Sequence, residues 1–406
     1  MSGWREEELP TRVAVLSPLG RGAVATVAVR GPRAVELVGR QFSPASGKKL
    51  AEIPTGRVVF GRFRTTAGEE ELVVGLVGPS EVEVHCHGGL AAVAAIRESL
   101  VAAGCVASDW PEFLGENPGG IAAAAQIALA EATTERTAAI LLDQWHGALA
   151  DSVAAALAAI EQDDFAAAER TLVELAERRD LGRHLTRPWK VVLAGRPNVG
   201  KSSLMNALVG FTRSIVWTEP GTTRDVVTAR TAIDGWPVEL SDTAGLRAAG
   251  DDIEAEGISR ARRQIATADV VLLVGDQSAG WRDEDQRLLE EIPRPPLVVL
   301  NKGDLPALGE LPRTGQLVSA RTGAGLGELL ASVSHSLVPR PPPAGAGVPF
   351  TEEQIAVVEA ALEACQRGDW PAARAALWAS AAFPSPLSPF GGGPRLTIRA
   401  ANFSEP

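Results

Sequence analysis

The strongest constraint on the fold is the segment at residues 191–203, which reads V-V-L-A-G-R-P-N-V-G-K-S-S. Its apolar start is typical of a buried parallel strand, and the G-x-x-x-x-G-K-S pattern that follows is a phosphate loop leading into a helix. Gly195 and Gly200 permit a close backbone approach that a Cβ would block, and the loop N–H groups then face an anion. We expect Lys201 to neutralise the outer phosphates and Ser202 to ligate Mg²⁺. The alternative is a chance glycine-rich turn.

Three further segments exclude a chance turn: D-T-A-G at 242–245, N-K-G-D at 301–304 and S-A-R at 319–321, each after a strand-like run. Asp242 offers a carboxylate to the water shell of the metal, and the Gly245 N–H can meet a γ-phosphate. The Asp304 carboxylate can accept from two guanine N–H groups that adenine lacks, while a backbone N–H of S-A-R can meet guanine O6. The pattern therefore predicts GTP. The predicted nucleotide contacts are Asn198, Val199, Gly200, Lys201, Ser202, Ser203, Asp242, Thr243, Ala244, Gly245, Asn301, Lys302, Asp304, Ser319, Ala320 and Arg321.

The hydrolytic machinery has to differ from that of Ras-like enzymes, because Leu246 stands where they carry the glutamine that orients the attacking water. Asn198 could hold a monovalent cation beside the phosphates in place of an arginine finger. An acidic cluster downstream is the second candidate, and its alternative interpretation is a solvated helix start. The cluster consists of Asp251, Asp252, Glu254 and Glu256.

Two more motifs bring out a family resemblance. G-T-T-R-D at 221–225, together with the phosphate loop, resembles the Era/TrmE branch of GTPases. D-T-A-G-L-R, a glutamate at Glu254 and G-I-S-R-A at 257–261 are more specific. They resemble the tRNA modification GTPases, the MnmE/TrmE family. The resemblance implies a GTPase that is activated by K⁺ and whose G domains dimerise across their nucleotides.

The same resemblance implies a role for individual residues. Asn198 and the Thr222 hydroxyl would hold K⁺, and main-chain carbonyls of Trp217 and Glu219 would complete its shell. Ser202 and Thr223 would ligate Mg²⁺. The catalytic set would be Glu254, which orients water indirectly, with Lys201 and Thr223.

Residues of about 10–105 predict a small α+β domain. The expected strands are 13–17, 25–30, 58–64, 72–76 and 82–87, and the expected helices are 32–41 and 90–103. P-L-G-R-G at 18–22 and E-V-H-C-H-G-G at 83–89 resemble segments of the same family, in which Glu83 would contact a tetrahydrofolate. His85 and His87 share one strand face, so a metal is an alternative, but no third ligand stands at a known spacing; a closely packed turn is the preferred interpretation.

Helical spacing marks residues 121–132, 137–157, 165–177 and 351–377. It predicts a helical domain split by an inserted Ras-like P-loop GTPase domain, so the fold class is α/β and α+β multidomain. The predicted divisions are 1–108 (N-terminal α+β, dimerisation), 109–188 (helical), 189–339 (G domain), 340–350 (proline-stiffened linker), 351–383 (helical) and 384–406 (poorly ordered tail).

Composition agrees with a cytoplasmic enzyme. No apolar run approaches the roughly 18 residues of a membrane span, and the first residues lack the apolar core of a signal peptide. Cys86, Cys105 and Cys365 form no disulfide framework. The net charge of −11 argues against a broad phosphate-gripping surface, although a local tRNA contact remains compatible with it.

The sequence also departs from the family. Its last residues, 401–406, contain no cysteine, whereas the family ends in C-x-G-K; Cys365 is predicted to be a buried, inert thiol. Ala28 stands where the family has an arginine, with Arg30 two residues on. Segments 77–81 and 114–120 lack family residues of the one-carbon site, so folate binding is predicted to be weak.

Three functional interpretations follow. The first is a homodimeric GTP hydrolase that acts in 5-position modification of wobble uridine in tRNA, with a folate donor and an FAD-dependent partner of the MnmG type. The second is a divergent regulatory or assembly G protein that has lost the folate and cysteine chemistry. An Era-like ribosome-assembly factor comes last, because it leaves the N-terminal motifs unexplained.

Overall fold

The computed structural model describes residues 10–17, 22–115, 120–211, 228–243 and 261–379. The chain divides between residues 119 and 120 into two compact units. Each unit contains a β-sheet of its own, and each is described below by itself.

The first unit is a seven-stranded sheet in the order β3-β4-β5-β6-β2-β1-β7. All pairs are antiparallel except β1 and β7. The strands are β1 (Arg12–Val15), β2 (Val24–Arg30), β3 (Phe42–Pro44), β4 (Val58–Thr65), β5 (Gly68–Gly78), β6 (Glu81–His87) and β7 (Val106–Ala107). The helices are α1 (Ala34–Gln41), α2 (Leu90–Ala102) and α3 (Trp110–Gly115).

Alternation along the strands explains the two faces of this sheet. In β6, Val82, Val84 and Cys86 are buried while the residues between them are partly exposed. The buried set shares one core with apolar residues of α1 and α2, as expected of a strand with one covered face. All five predicted strands and both predicted helices are present, whereas the short β3, β7 and α3 were not predicted. The strand predicted at 72–76 begins four residues earlier, at Gly68, because Thr65 closes a tight hairpin by donating to the Gly68 carbonyl at 3.0 Å.

The second unit contains a six-stranded sheet in the order β13-β12-β11-β8-β10-β9. Every pair is parallel except β9 with β10. The strands are β8 (Trp189–Ala194), β9 (Thr228–Ile233), β10 (Trp236–Asp242), β11 (Val270–Asp276), β12 (Leu297–Asn301) and β13 (Gln316–Leu317). The helices beside this sheet are α9 (Lys201–Phe211), α10 (Asp283–Glu291) and α11 (Leu326–Leu337). Near-continuous apolar strands such as β11 are buried on both faces, as parallel sheets require.

Helices from both sides of this sheet domain in the sequence share one core, which includes Leu149 and Leu172 before it and Val358 and Leu377 after it. The helices of this core are α4 (Ile121–Glu131), α6 (Ala148–Glu161), α7 (Phe165–Glu177), α12 (Glu352–Gln366) and α13 (Trp370–Ala379). Two other helices, α5 (Glu135–Trp145) and α8 (Arg179–Arg183), instead bury Leu141 and Leu181 in the core of the six-stranded sheet.

Two predicted helical runs were too long. The run at 137–157 is two helices that meet at Gly147, whose φ is 109°, and the run at 351–377 is broken at Gly368, whose φ is 73°. A left-handed residue ends the hydrogen-bond ladder of a helix, and glycine adopts it without a Cβ penalty. The apolar spacing resumes after each break, which is why periodicity alone did not show it. The tail predicted at 384–406 lies outside the described residues.

The segment at 340–350 is anchored by hydrogen bonds with side chains of the helical part of the chain. The buried Gln144 amide donates to the Ala346 carbonyl at 3.1 Å and accepts from the Val348 N–H at 3.0 Å. Arg178 donates to the Gly347 carbonyl at 2.9 Å. The proline-rich segment therefore satisfies its backbone groups with side chains instead of with a strand partner.

Within the described ranges, we find no helix that combines the length and the apolar character needed to cross a bilayer.

Candidate nucleotide-binding site

The phosphate loop connects the end of β8 to the start of α9, and two of its glycines are sterically required. Gly195 has φ +144°, and a Cβ there would lie 2.2 Å from the Val274 carbonyl oxygen. Gly200 has φ +91°, and a Cβ there would lie 2.4 Å from the Asn301 side-chain nitrogen. Distances this short exclude any larger residue. Asn198 also adopts a left-handed conformation, with φ 65°, which asparagine tolerates better than most residues.

Lys201 folds back over the loop. Its side chain is buried, and Nζ donates to the Gly195 carbonyl at 3.0 Å and to the Arg196 carbonyl at 2.9 Å. The ammonium is thereby held at the phosphate loop by neutral acceptors.

The two groups predicted on the Mg²⁺ side are in direct contact. Ser202 Oγ donates to Asp242 Oδ2 at 2.6 Å, and the Asp242 residue is 1% exposed. The contact arises because β8 and β10 are parallel neighbours, with Leu193 opposite Asp242. The hydroxyl at the start of α9 and the carboxylate at the end of β10 are suitable hard oxygen groups for Mg²⁺ and its water shell.

Lys302 ties the loop to β11. Its Nζ donates to the Asn198 carbonyl at 3.2 Å and to Asp276 Oδ2 at 2.5 Å. Burial by itself would raise the pKa of Asp276, but hydrogen bonds from Lys302 and Ser278 outweigh it and hold the pKa of that carboxyl below its usual range. The Asp276 carboxylate is therefore ionised at neutral pH and fixes the lysine that supports Asn198.

At the predicted guanine end, Asn301 joins two segments. Its side-chain nitrogen donates to the Val199 carbonyl at 3.0 Å, and its side-chain oxygen accepts from the Ala320 N–H at 3.1 Å. Asp304 Oδ1 accepts from the Ser319 hydroxyl at 2.5 Å. The N-K-G-D and S-A-R segments therefore meet, as their spacing after strands suggested.

A buried ion pair supports the other side of the loop, and sequence reasoning did not find it. Arg196 Nε donates to Asp285 Oδ1 at 2.7 Å, with the two side chains 9% and 1% exposed. The hydrogen bond that Arg196 donates to Asp285 raises the pKa of Arg196 above its usual range. Asp285 Oδ2 also accepts the Arg282 N–H at 3.0 Å at the start of α10. The available sequence signal for this pair was the acidic first turn of α10. Acidic residues are common in a first turn because they stabilise a helix N-terminus, so the turn did not indicate a buried ion pair.

A cleft of about 1340 Å³ opens beside the loop. Phosphate-loop residues, Thr243 and Lys302 contribute to its lining. Its volume is ample for a nucleoside triphosphate.

Comparison with known proteins identifies the family. The family model described as "50S ribosome-binding GTPase" matches residues 190–302. The tRNA modification GTPase MnmE of Synechococcus sp. (strain RCC307) is 34% identical over 79% of this chain and 79% of its own length. The same protein of Moorella thermoacetica is 31% identical over 88% of this chain and 87% of its own length. This chain belongs to the tRNA modification GTPase family. Among solved structures, Era bound to MgGDPNP and part of 16S ribosomal RNA is 28% identical over 38% of this chain and 58% of that one, with a TM-score of 0.30.

As a member of the tRNA modification GTPases, the chain is a hydrolase that binds GTP and Mg²⁺, and its residues fit them. Gly195 and Gly200 let the loop pack closely against Val274 and Asn301 in its phosphate-loop conformation, and the Ser202–Asp242 pair supplies hard oxygen groups. The relatives favour the tRNA modification interpretation over a divergent assembly G protein.

Several predicted residues lie outside the described residues, so their roles remain predictions. They are Trp217, Glu219, Thr222, Thr223, Ala244, Gly245, Leu246 and Glu254, together with Asp251, Asp252 and Glu256.

In the first unit, Glu83 and His85 lie on one sheet face. Glu83 Oε2 is 3.4 Å from His85 Nε2, and His85 Nδ1 is 3.1 Å from the Thr26 hydroxyl. His87 Nδ1 instead contacts Glu70 Oε1 at 2.7 Å. Each histidine therefore has a protein partner.

The position of the family arginine is a packed alanine here. Ala28 is fully buried opposite Glu83, in one small core with Phe113. Arg30 donates to Glu81 at 2.8 Å and to the Phe113 carbonyl at 2.9 Å, and its guanidinium lies 4.5 Å from the Phe113 ring centroid. Arg30 is therefore held by its neighbours Glu81 and Phe113.

All three cysteines are buried. Burial raises the pKa of the Cys86 and Cys105 thiols to about 11 and also raises that of Cys365. The prediction that Cys365 is a buried thiol inside a helix is confirmed. A thiol with a raised pKa is a poor nucleophile.

Proposed function

We propose that this chain couples GTP hydrolysis to the 5-position modification of wobble uridine in tRNA. One observation carries the proposal: the named relatives match 79% and 88% of the chain. The nucleotide-binding segment at 190–302 accounts for only part of that. The likeness therefore includes the parts of the chain that a GTPase of another function would not share.

The geometry of the phosphate loop supports the proposed nucleotide contacts. The Lys201 ammonium, which donates to the Gly195 and Arg196 carbonyls, would neutralise charge on the β- and γ-phosphates. The Ser202 hydroxyl would ligate the metal, and the Asp242 carboxylate next to it would bind the water shell. Bound Mg²⁺ supplies neutralisation of the phosphate charge that develops during transfer.

We further propose that Asn198 ligates K⁺, with Thr222, Trp217 and Glu219 as the other predicted ligands. Support comes from the left-handed backbone of Asn198 and from the hydrogen bond that its carbonyl accepts from Lys302. These features fix the backbone of Asn198 within the phosphate loop. Thr223 and Glu254 complete the proposed catalytic set.

The proposed partners are a second copy of the chain, an FAD-dependent enzyme of the MnmG type and tRNA, in the cytoplasm. The proposed folate contact is Glu83. One observation favours the second candidate, a G protein without the one-carbon chemistry: Ala28 is packed under Phe113, and Arg30 is held by Glu81.

Mass spectrometry of wobble uridines separates the two functions. We expect the 5-position modification to disappear from the tRNA of cells that lack this gene. It should return when the wild-type gene is supplied, but not when the Ser202→Ala variant is supplied. A profile that does not change on loss of the gene would contradict the modification function and support the second candidate.

A further inference from the structure

Asp304, the proposed guanine contact, is engaged by an arginine of the neighbouring segment. Arg321 donates to Asp304 Oδ2 from Nε at 2.9 Å and from Nη2 at 2.7 Å. The Ser319 hydroxyl donates to Oδ1. The Asp304 side chain is 14% exposed and that of Arg321 is 75% exposed, so solvent reaches the arginine while the carboxylate is mostly covered.

Counting acceptor sites shows the consequence. A carboxylate has about two lone-pair sites on each oxygen. Ser319 occupies one site on Oδ1, and the two N–H groups of Arg321 occupy both sites on Oδ2. Guanine presents two adjacent N–H donors, which need one site on each oxygen. One of these donors has no acceptor while Arg321 is in place.

We infer that Arg321 is a latch on the guanine site: it must leave Asp304 before guanine can make both hydrogen bonds, and it thereby slows nucleotide entry. The inference rests on the proposed role of Asp304. A site whose competent form is only partly populated binds with a proportionally lower apparent affinity. Arg321 therefore lowers the affinity for guanine nucleotide at the base-binding end of the site, without contacting the phosphates.

The size of the effect is limited by exposure. Since Arg321 is mostly in solvent, the ion pair is screened and weak. Removing it should speed association of guanine nucleotide about two- to fivefold. The gain should shrink at high ionic strength, because about 1 M salt reduces the screening length to about 3 Å and opens the latch in the wild type.

The test is stopped-flow association of fluorescent GDP with the full chain, measured for the wild type, Arg321→Ala and Arg313→Ala. Arg313 is an exposed arginine of the same domain and gives the same charge change. We expect faster association in Arg321→Ala alone, and a gap from the wild type that closes as choline chloride is raised. An unchanged or slower rate in Arg321→Ala would overturn the latch.

A second variant separates the latch from the role of Asp304. Asp304→Asn should exchange guanine preference for xanthine, and Arg321→Ala should add nothing in that background, because the latch has lost its carboxylate. If Asp304→Asn keeps its guanine preference, Asp304 does not contact guanine, and the latch proposal is then wrong as well. If the preference switches but Arg321→Ala still speeds binding in the double variant, only the latch is wrong.

Discussion

Replacing Arg196 by methionine tests the buried support of the phosphate loop. The substitution keeps an apolar stem of similar length but removes the charge that pairs with Asp285 at 2.7 Å. Asp285 then stays 1% exposed, and of its described hydrogen bonds only the one from the Arg282 N–H remains. Its carboxylate becomes a buried charge without a counter-ion.

The stability that Arg196→Met loses depends on how deeply the Arg196–Asp285 ion pair is buried. Removing one partner of a buried ion pair lowers the free energy of unfolding by about 3–5 kcal/mol. Because Asp285 keeps one backbone hydrogen bond, we expect a loss at the lower end of this range, about 3 kcal/mol. Removing both charges in Arg196→Met/Asp285→Leu leaves no uncompensated charge and should cost far less than the single change. Arg262→Met is the matched control, because its pair with Glu291 joins the same helix, α10, at 3.5 Å through exposed side chains and should cost below about 1 kcal/mol.

Hydrogen exchange of the α10 amides measures this loss of stability locally. The measurement does not require two-state unfolding of the whole chain, which contains several cores. A loss of about 3 kcal/mol corresponds to a fall of about a hundredfold in protection. We expect this fall in Arg196→Met, recovery of most of it in the double variant, and little change in Arg262→Met. Equal protection in Arg196→Met and the control, or additive losses in the double variant, would refute the reasoning.

Three further predictions concern activity. Glu254→Ala should lower GTP turnover by about a hundredfold, as expected for loss of a water-orienting group, while fluorescent GDP still binds; normal turnover would show the assignment to be wrong. Phosphate release should be faster in KCl than in NaCl because Asn198 and Thr222 are proposed to hold K⁺, and equal rates in both salts would argue against the site. Calorimetric titration with a formyl-tetrahydrofolate should show weak binding, since Ala28 is packed under Phe113 and Arg30 is held by Glu81; tight binding would contradict this.

Most residues of the candidate nucleotide site were predicted from short sequence motifs. A phosphate loop is read from thirteen consecutive residues because its backbone N–H groups and flanking glycines do the binding. The structure places Ser202 against Asp242 and Asn301 against Val199 because parallel neighbours end at one edge of the sheet. The sequence predicted that these residues serve one nucleotide site, although it did not predict these individual contacts.

Contacts between distant segments were not predictable. Arg196 and Asp285 are 89 residues apart, and each reads alone as a surface charge. The pairing of Arg321 with Asp304 was missed for a different reason: both were assigned to guanine, and a motif does not show which partners its members have without a nucleotide. Helix breaks at Gly147 and Gly368 were missed because the apolar spacing continues on both sides.

Phosphate release by the purified chain tests the central claim most directly. In KCl with Mg²⁺, the wild type should hydrolyse GTP and leave ATP essentially untouched, because Asp304 accepts from guanine donors that adenine lacks. Ser202→Ala should remove the activity by removing a metal ligand. Hydrolysis of ATP at the rate of GTP, or full activity in Ser202→Ala, would contradict the account.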